Sequence, residues 1–257
     1  MRFIKVFIPF IITVLVPYIT TTAQTLHSKD VFAKKKHRIS IDAGLANYTN
    51  RDDLASPLLY KGYDKTIAFS YTYKGKKNWH WVQIRIITGE LKTSSLRNFA
   101  DHYYGQLQYG YAHLMSGRTN TNMTFWVGGS WDNIASVRRY SFFPSLLRQS
   151  KGIAASTLNI NLLCELSFLK KQRVIFLSSA PVLSYLERNG YVVGNTIHQL
   201  TSLNNYQRFQ FSSLYERPLS AYFKLRLTYW FLYQRYSQPQ KTISVFHGLS
   251  GGISFQF

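Results

Sequence analysis

Between Lys224 and Tyr233 the chain reads KLRLTYWFLY. From Phe223 onward every second residue is apolar or aromatic: Phe223, Leu225, Leu227, Tyr229, Phe231 and Tyr233. Lys224, Arg226, Thr228 and Trp230 stand between them. In an extended strand the two sets point to opposite faces. A helix would space its apolar residues three and four apart. The segment is therefore predicted to be a strand, greasy on one face and charged on the other.

The same period recurs over Ile39–Leu45, Ile67–Tyr73, Val82–Ile86, Tyr103–Tyr111, Met123–Trp131, Leu158–Leu166 and Phe209–Phe211. Arg173–Tyr185 is more uniformly apolar and its parity is not legible. With the segment from Tyr222 and the C-terminal stretch, ten strands are predicted. Tight connections are expected at Lys74–Asn78, Ser116–Asn120, Lys170–Gln172 and Arg217–Ser220. Longer ones are expected at Tyr48–Asp64, Gly89–Ala100, Asn133–Lys151 and Glu187–Asn205, with Ser237–Lys241 in the same series. Alternating short and long connections predict an all-β, up-and-down antiparallel transmembrane β-barrel of about ten strands (roughly eight to twelve), short turns on the periplasmic side. A soluble β-sandwich would alternate too. Against it stand aromatics at the ends of the apolar face (Trp79, Trp81, Tyr71, Tyr73, Tyr229, Tyr233), as in a lipid-interface girdle. The opposite face is Gly, Ser, Thr, Asn and Gln with few charges, which suits a polar lumen.

The N-terminus reads MRFIKVFIPFIITVLVPYITTTAQT. Arg2 and Lys5 precede a short apolar run, Val6–Val16, and small residues precede Gln24, as in a cleavable signal peptide. The run is shorter than the ~20 residues of a membrane helix and is interrupted by Pro9 and Pro17. The expected organisation is a signal peptide over 1–23, an N-terminal periplasmic segment over 24–36 and an outer-membrane barrel over 37–257. The formal charge is +20, or +18 once Arg2 and Lys5 are removed. Such an excess favours anionic partners. Export makes nucleic acid an unsuitable one and leaves lipid headgroups, a small anionic solute or an acidic glycan. The single cysteine, Cys164, provides no internal disulfide framework.

The chain ends HGLSGGISFQF, which contains the G-x-S-x-G pattern of a nucleophile elbow. An elbow needs a sharp strand-to-helix turn with its His and acid later in the chain. Ser250 is followed by seven residues, none of them His, Asp or Glu. Ile253, Phe255 and Phe257 alternate instead with Gly252, Ser254 and Gln256, as in a closing strand. Gly248 and Gly252 on its inner face leave room for bulky lumen side chains.

A final amphipathic strand ending in Phe255 and Phe257 resembles the C-terminal signature of bacterial outer-membrane proteins. The cleavage site before Gln24 and the Tyr-, Lys- and Asn-rich composition resemble outer-membrane barrels of the Bacteroidota. The resemblance is diffuse and spans the mature chain. It implies residence in the cell outer membrane, contact with outer-membrane lipid and lipopolysaccharide, and recognition of the last strand by the barrel-assembly machinery. It implies no activity.

Three sets of residues are candidates for function. Omptin-like proteases use an Asp pair and a His–Asp pair at the rim; Asp52 and Asp53 in the first long connection and Asp101 and His102 at the end of the second are the matching types. Carboxylates beside an imidazole can activate water, although adjacent residues of an extended chain point apart. A lipid-facing Ser–His pair, as in outer-membrane phospholipases, finds no couple around His80, His113 or His247. The second set is the lumen: by parity Asp42, Arg85, Glu165, Arg208, Lys224 and Arg226 point inward. They form either a satisfied internal plug or an anion-preferring constriction. The third set is Arg138, Arg139, Arg148 and Lys151 in or beside the loop SVRRYSFFPSLLRQSKG, where anionic phosphates or glycans could be met. The His residues and lone Cys lack metal-ligand spacing, and no cofactor is expected. The leading expectation is a non-enzymatic barrel: a narrow channel, a ligand-binding protein or an envelope scaffold. The alternatives are an envelope hydrolase at the rim and a soluble secreted glycan-binding β-protein.

Overall fold

The computed structural model describes residues 36–53, 56–94, 98–116, 122–141, 148–168, 172–189, 196–237 and 241–257. The expected signal peptide, nearly all of the N-terminal segment and the Phe142–Leu147 part of the basic loop lie outside them. Among the described residues every regular element is a strand. The strands are β1 (His37–Asp52), β2 (Ser56–Lys74), β3 (Asn78–Lys92), β4 (Phe99–Ser116), β5 (Met123–Ser141), β6 (Arg148–Ser167), β7 (Arg173–Asn189), β8 (Thr196–Thr201), β9 (Tyr206–Pro218), β10 (Phe223–Tyr236) and β11 (Thr242–Gln256).

Neighbours in sequence pair antiparallel from β1 through β7, then β7 pairs with β9, and β9 with β10 and β10 with β11. The ring closes where β1 meets β11, from Arg38↔Gln256 to Asp52↔Thr242. Ten strands make the closed barrel. β8 pairs with the upper part of β7 (Ser184–Asn189), while β9 pairs with the lower part (Arg173–Ser179). β8 and β9 are thus one descending strand, interrupted by a turn in which the Asn205 and Tyr206 N–H groups donate to the Ser202 carbonyl at 3.3 and 3.2 Å.

The outward face carries a belt of exposed apolar side chains, including Ile39, Ile41 and Leu45 on β1, Ile67, Phe69 and Tyr71 on β2, Leu158, Ile160 and Leu162 on β6, and Leu225 and Leu227 on β10. A continuous exposed apolar band of this kind fits a lipid environment, not water. The strands are much longer than the belt. β2 has 19 residues, β5 19 and β6 20, whereas a tilted strand crosses the hydrocarbon in about 9–11. The surplus stands beyond the belt at the end opposite the termini. There the outward residues turn polar: Asn47, Thr49 and Arg51 on β1; Lys61 and Lys65 on β2; Glu90 and Lys92 on β3.

This overshoot corrects the expected long connections. Tyr48–Asp64 and Asn133–Lys151 are mostly strand, and half of Gly89–Ala100 is strand. Above the lipid both faces of a strand can be polar, so the alternation that marks a strand fades and the sequence reads as loop. β7 has a separate cause. A bulge opposite Leu158 and Asn159 leaves Val182 extra between Pro181, which faces Asn159, and Leu183, which faces Leu158. Proline has no N–H for the ladder, and the inserted residue switches the parity of everything after it. Trp79 and Trp81 also differ from expectation: both are buried on the inward face, not in an outer girdle. Tyr71 is exposed on the outer face as predicted.

The belt predicts unequal tolerance of charge. Leu162→Arg, at mid-belt, is expected to lower stability by about 2–4 kcal/mol, and Thr49→Arg, above the belt, by no more than about 0.5 kcal/mol. Denaturant unfolding of the barrel in lipid vesicles measures both.

Candidate functional site

The inward residues fill the barrel in layers. Nearest the termini, Trp79, Trp81, Ala112, Trp126, Leu163 and Ile175 form one apolar cluster. Beside it Glu165 and Glu216 take up Arg38, Lys74 and Arg173. Next along, Arg226 pairs with Asp42 at 3.3 Å and donates to Ser40. At mid-height Arg208 Nη1 donates to Asp132 Oδ2 at 2.5 Å and its Nη2 to Gln210 at 3.2 Å. The Arg85 guanidinium lies over the Trp230 ring, 4.5 Å from its centroid. Trp230 in turn lies across Gly248, where a Cβ would stand 2.7 Å from the indole.

The far half is packed with aromatic rings. Tyr48 stacks on Phe246 with centroids 3.9 Å apart, Tyr206 on Tyr236 at 4.8 Å, and Tyr60 meets Tyr140 edge-on at 5.1 Å. At the rim Arg188 Nη2 donates to Asp52 Oδ1 at 2.7 Å and to Thr242 at 2.5 Å. Arg138 reaches across from β5 to Asn50 on β1, with Asp52 at 3.8 Å.

All six residues assigned to the lumen by parity, Asp42, Arg85, Glu165, Arg208, Lys224 and Arg226, are buried on the inward face. The carboxylates that complete their pairs, Asp132 and Glu216, were not singled out from sequence, yet each extends a named parity: Ser130 to Asp132, and Arg208 through Ser212 to Glu216. Arg173 sits just beyond a turn on the strand whose parity is not legible. The basic loop group separates. Arg138 and Lys151 are not loop residues: both are buried and face inward, because β5 and β6 run on past them. Arg139 points outward and stands over the Tyr103 ring at 5.6 Å. The Arg148 side chain lies outside the described residues.

The expected rim hydrolase set is not brought together. Asp52 is buried in the rim pair with Arg188, while Asp53 bonds Arg51 on the exterior at 2.8 Å. Asp101 and His102 are adjacent on β4 and face opposite sides. His102 finds a different acid. Its Nδ1–H donates to Asp64 Oδ2 at 2.6 Å, across the intervening strand β3. The register is Asp64↔Gly89↔His102, and a Cβ on Gly89 would overlap the Asp64 carboxylate. Glycine at this position therefore makes the contact possible. With Nδ1–H donated, Nε2 accepts from the Ser136 hydroxyl at 3.4 Å. The connectivity is that of a Ser–His–Asp relay. Its surroundings are a core: Asp64 and His102 have no exposed surface, and the Tyr48 and Phe246 rings lie 4.3 and 5.6 Å from the imidazole. Ser250 is likewise buried within β11, between Gly44 and Thr228, with no turn at it.

Surface depressions among the described residues lie outside the lumen. One, of about 80 Å³, is lined by Arg51, Asp53, Lys241 and Ile243. Another, of about 180 Å³, lies on the outer wall among Ala135, Val137, Gly152, Ala154 and Glu187. Both are smaller than the ~300 Å³ at which ligand pockets begin. Among the described residues no cluster of His, Cys, Asp and Glu could hold a metal ion.

No protein-family model matches the chain, and no curated protein matches it in sequence. Among solved structures it is similar to the outer membrane protease OmpT from Escherichia coli, with TM-score 0.58 and 8% identity over 92% of this chain and 100% of that one. The translocator domain of the autotransporter NalP from Neisseria meningitidis aligns with TM-score 0.49 and 9% identity over 98% and 95% of the two chains. The attachment invasion locus protein Ail from Yersinia pestis aligns with TM-score 0.37 and 12% identity over 86% and 99%. The likeness to OmpT is one of fold: this chain is a closed antiparallel β-barrel of the outer-membrane type.

The Asp64–His102 contact gives a sharp expectation. Gly89→Val expels the carboxylate and leaves a buried imidazole N–H unpaired, at a cost of about 1–3 kcal/mol. Gly105→Ala, where an added Cβ meets nothing within 4 Å, leaves stability unchanged. Equilibrium unfolding of the two variants compares them.

Proposed function

We propose that the protein is a closed, non-enzymatic outer-membrane barrel that serves as an envelope scaffold, and that it does not conduct. In this reading the termini face the periplasm, following an exported N-terminus cleaved before Gln24, and the long strand ends stand outside the cell. The Bacteroidota-like composition supports the same assignment. The observation that carries the reading is the filling of the interior along its length. Arg173, Glu216, Arg226, Arg208, Trp230, Tyr48, Tyr60 and Arg138 occupy successive levels and all are buried. A barrel of about ten strands is narrow enough for side chains to fill, and paired charges inside satisfy one another.

The rigid wall beyond the lipid is the part of such a scaffold that partners can reach. Lys61 and Lys65 on β2 project outward just above the belt, at the level where an outer leaflet carries its anionic phosphates. Phe255 and Phe257 are exposed on the outer face of the closing strand and pack against each other at 5.7 Å, which supports their reading as the assembly signal. The enzyme alternative is weakened by the dispersal of Asp52, Asp53, Asp101 and His102 and by the sealed setting of Ser136, His102 and Asp64.

Two measurements test this. Refolded mature chain in a planar bilayer, with folding established by a heat-modifiable gel shift, is expected to show no discrete conductance steps; anion-selective steps would make it a pore and assign Arg85, Lys224 and Arg226 to the constriction. A fluorophosphonate probe is expected to leave the folded barrel unlabelled, and labelling lost on Ser136→Ala would instead establish a hydrolase.

A further inference from the structure

The interior at the termini end closes on a lattice of charged side chains with more cations than it can neutralise. Glu216 on β9 is at its centre and has no exposed surface. Arg38 Nη1 donates to Glu216 Oε1 at 2.7 Å, and Arg173 Nε donates to Oε2 at 2.5 Å. Arg173 Nη1 also donates to Glu165 Oε1 at 3.0 Å, and Lys74 donates to the other oxygen of Glu165. Lys224 Nζ stands 4.0 Å from Glu216 Oε2, too far for a hydrogen bond. Four cations thus share two carboxylates, Glu165 and Glu216.

A buried charge without a counter-charge is costly, and among the described residues this floor sets two carboxylates against four cations, of which Lys74 is partly open to solvent. Donors are also left over. Arg38 Nε and Arg173 Nη2 are buried and have no acceptor among the described residues. A guanidinium N–H can only donate. Arg38, Arg173 and Lys224 all approach the one carboxylate of Glu216 within 4.0 Å, so the missing charge and the idle donors coincide in space. The side chains of Arg38, Arg173 and Lys224 are 11%, 10% and 11% exposed and that of Lys74 is 26% exposed, so each keeps some contact with solvent. The Lys74 ammonium lies 4.8 Å from the Trp79 ring and 5.4 Å from that of Trp126, which walls the site on one side. On the lumen side the Arg226–Asp42 pair lies above it.

We propose that this floor is a binding site for a small dianionic oxoanion of the phosphate class, held by Arg38, Arg173 and Lys224. Two negative charges match the deficit, and tetrahedral oxygens suit the guanidinium fork and the ammonium together. A monocarboxylate supplies half the charge. The ligand enters from the termini end, independently of any partner at the far end.

The test uses the refolded mature chain in detergent micelles, with folding established by the heat-modifiable gel shift. Inorganic phosphate is titrated at constant ionic strength and followed by ³¹P line broadening and by the denaturant midpoint, which a ligand of the folded state raises. Saturable binding is expected, with sulfate competing and acetate having little effect. Arg38→Gln and Lys224→Gln are each expected to weaken phosphate binding by about tenfold. Lys224→Gln removes no hydrogen bond to Glu216, so it retains the test if Arg38→Gln does not fold. A folded barrel without saturable phosphate binding overturns the proposal. So does an equal response to acetate, or phosphate binding unaltered in folded Lys224→Gln.

Discussion

A strand in lipid has no water to satisfy its backbone, so its sheet must close on itself. The rest of this protein follows from that closure. The seam is the long ladder between β1 and β11, from Arg38↔Gln256 to Asp52↔Thr242, and it joins the two ends of the barrel chain. Once the sheet is a ring, each strand has one face to lipid and one to a narrow interior. Polar and charged residues within the belt then have a single direction to point.

The interior is where the physical difficulty lies. A cylinder of about ten strands is too narrow to hold bulk water around each charge and too wide to be empty. This chain fills it with large rings laid over missing side chains, as Trp230 over Gly248, and with guanidinium groups that span it. Arg138 reaches from β5 to Asn50 on β1, and Arg208 on β9 to Asp132 on β5. Such cross-barrel bonds tie distant strands together. They also occupy much of the interior, since Arg138, Arg173 and Arg208 each reach a partner on another strand. Cations outnumber acids at the floor around Glu216, and at the rim Arg138 and Arg188 share Asp52.

Much of the fold was legible because the lipid belt enforces alternation along most strands. Asp42, Arg85, Glu165, Arg208, Lys224 and Arg226 could be placed inside from parity alone, since a charge on the other parity would face hydrocarbon. Beyond the belt that constraint lapses. Arg138 and Lys151 read as loop residues because Ser136, Arg139 and Ser150 around them are polar on both parities, as water permits. Trp79 and Trp81 read as girdle because an aromatic residue near a strand end suits either face; packing against Trp126 decides for the inside. β7 was opaque because one inserted residue at Val182 reverses parity in mid-strand.

The sequence by itself determined the class of the protein: an all-β, closed barrel with a charged interior and a closing strand at its C-terminal end. Those properties depend on side-chain sorting between lipid and lumen, a local matter with a period of two residues. Which interior groups meet was decided only by the tertiary structure, because pairing across a barrel depends on register and stagger between strands far apart in the chain. Asp64 joins His102 over the gap at Gly89, and Glu216 gathers Arg38 and Arg173 from 178 and 43 residues earlier in the chain. No spacing along the chain encodes those contacts. They arise when the ring closes and the strands settle at one shear.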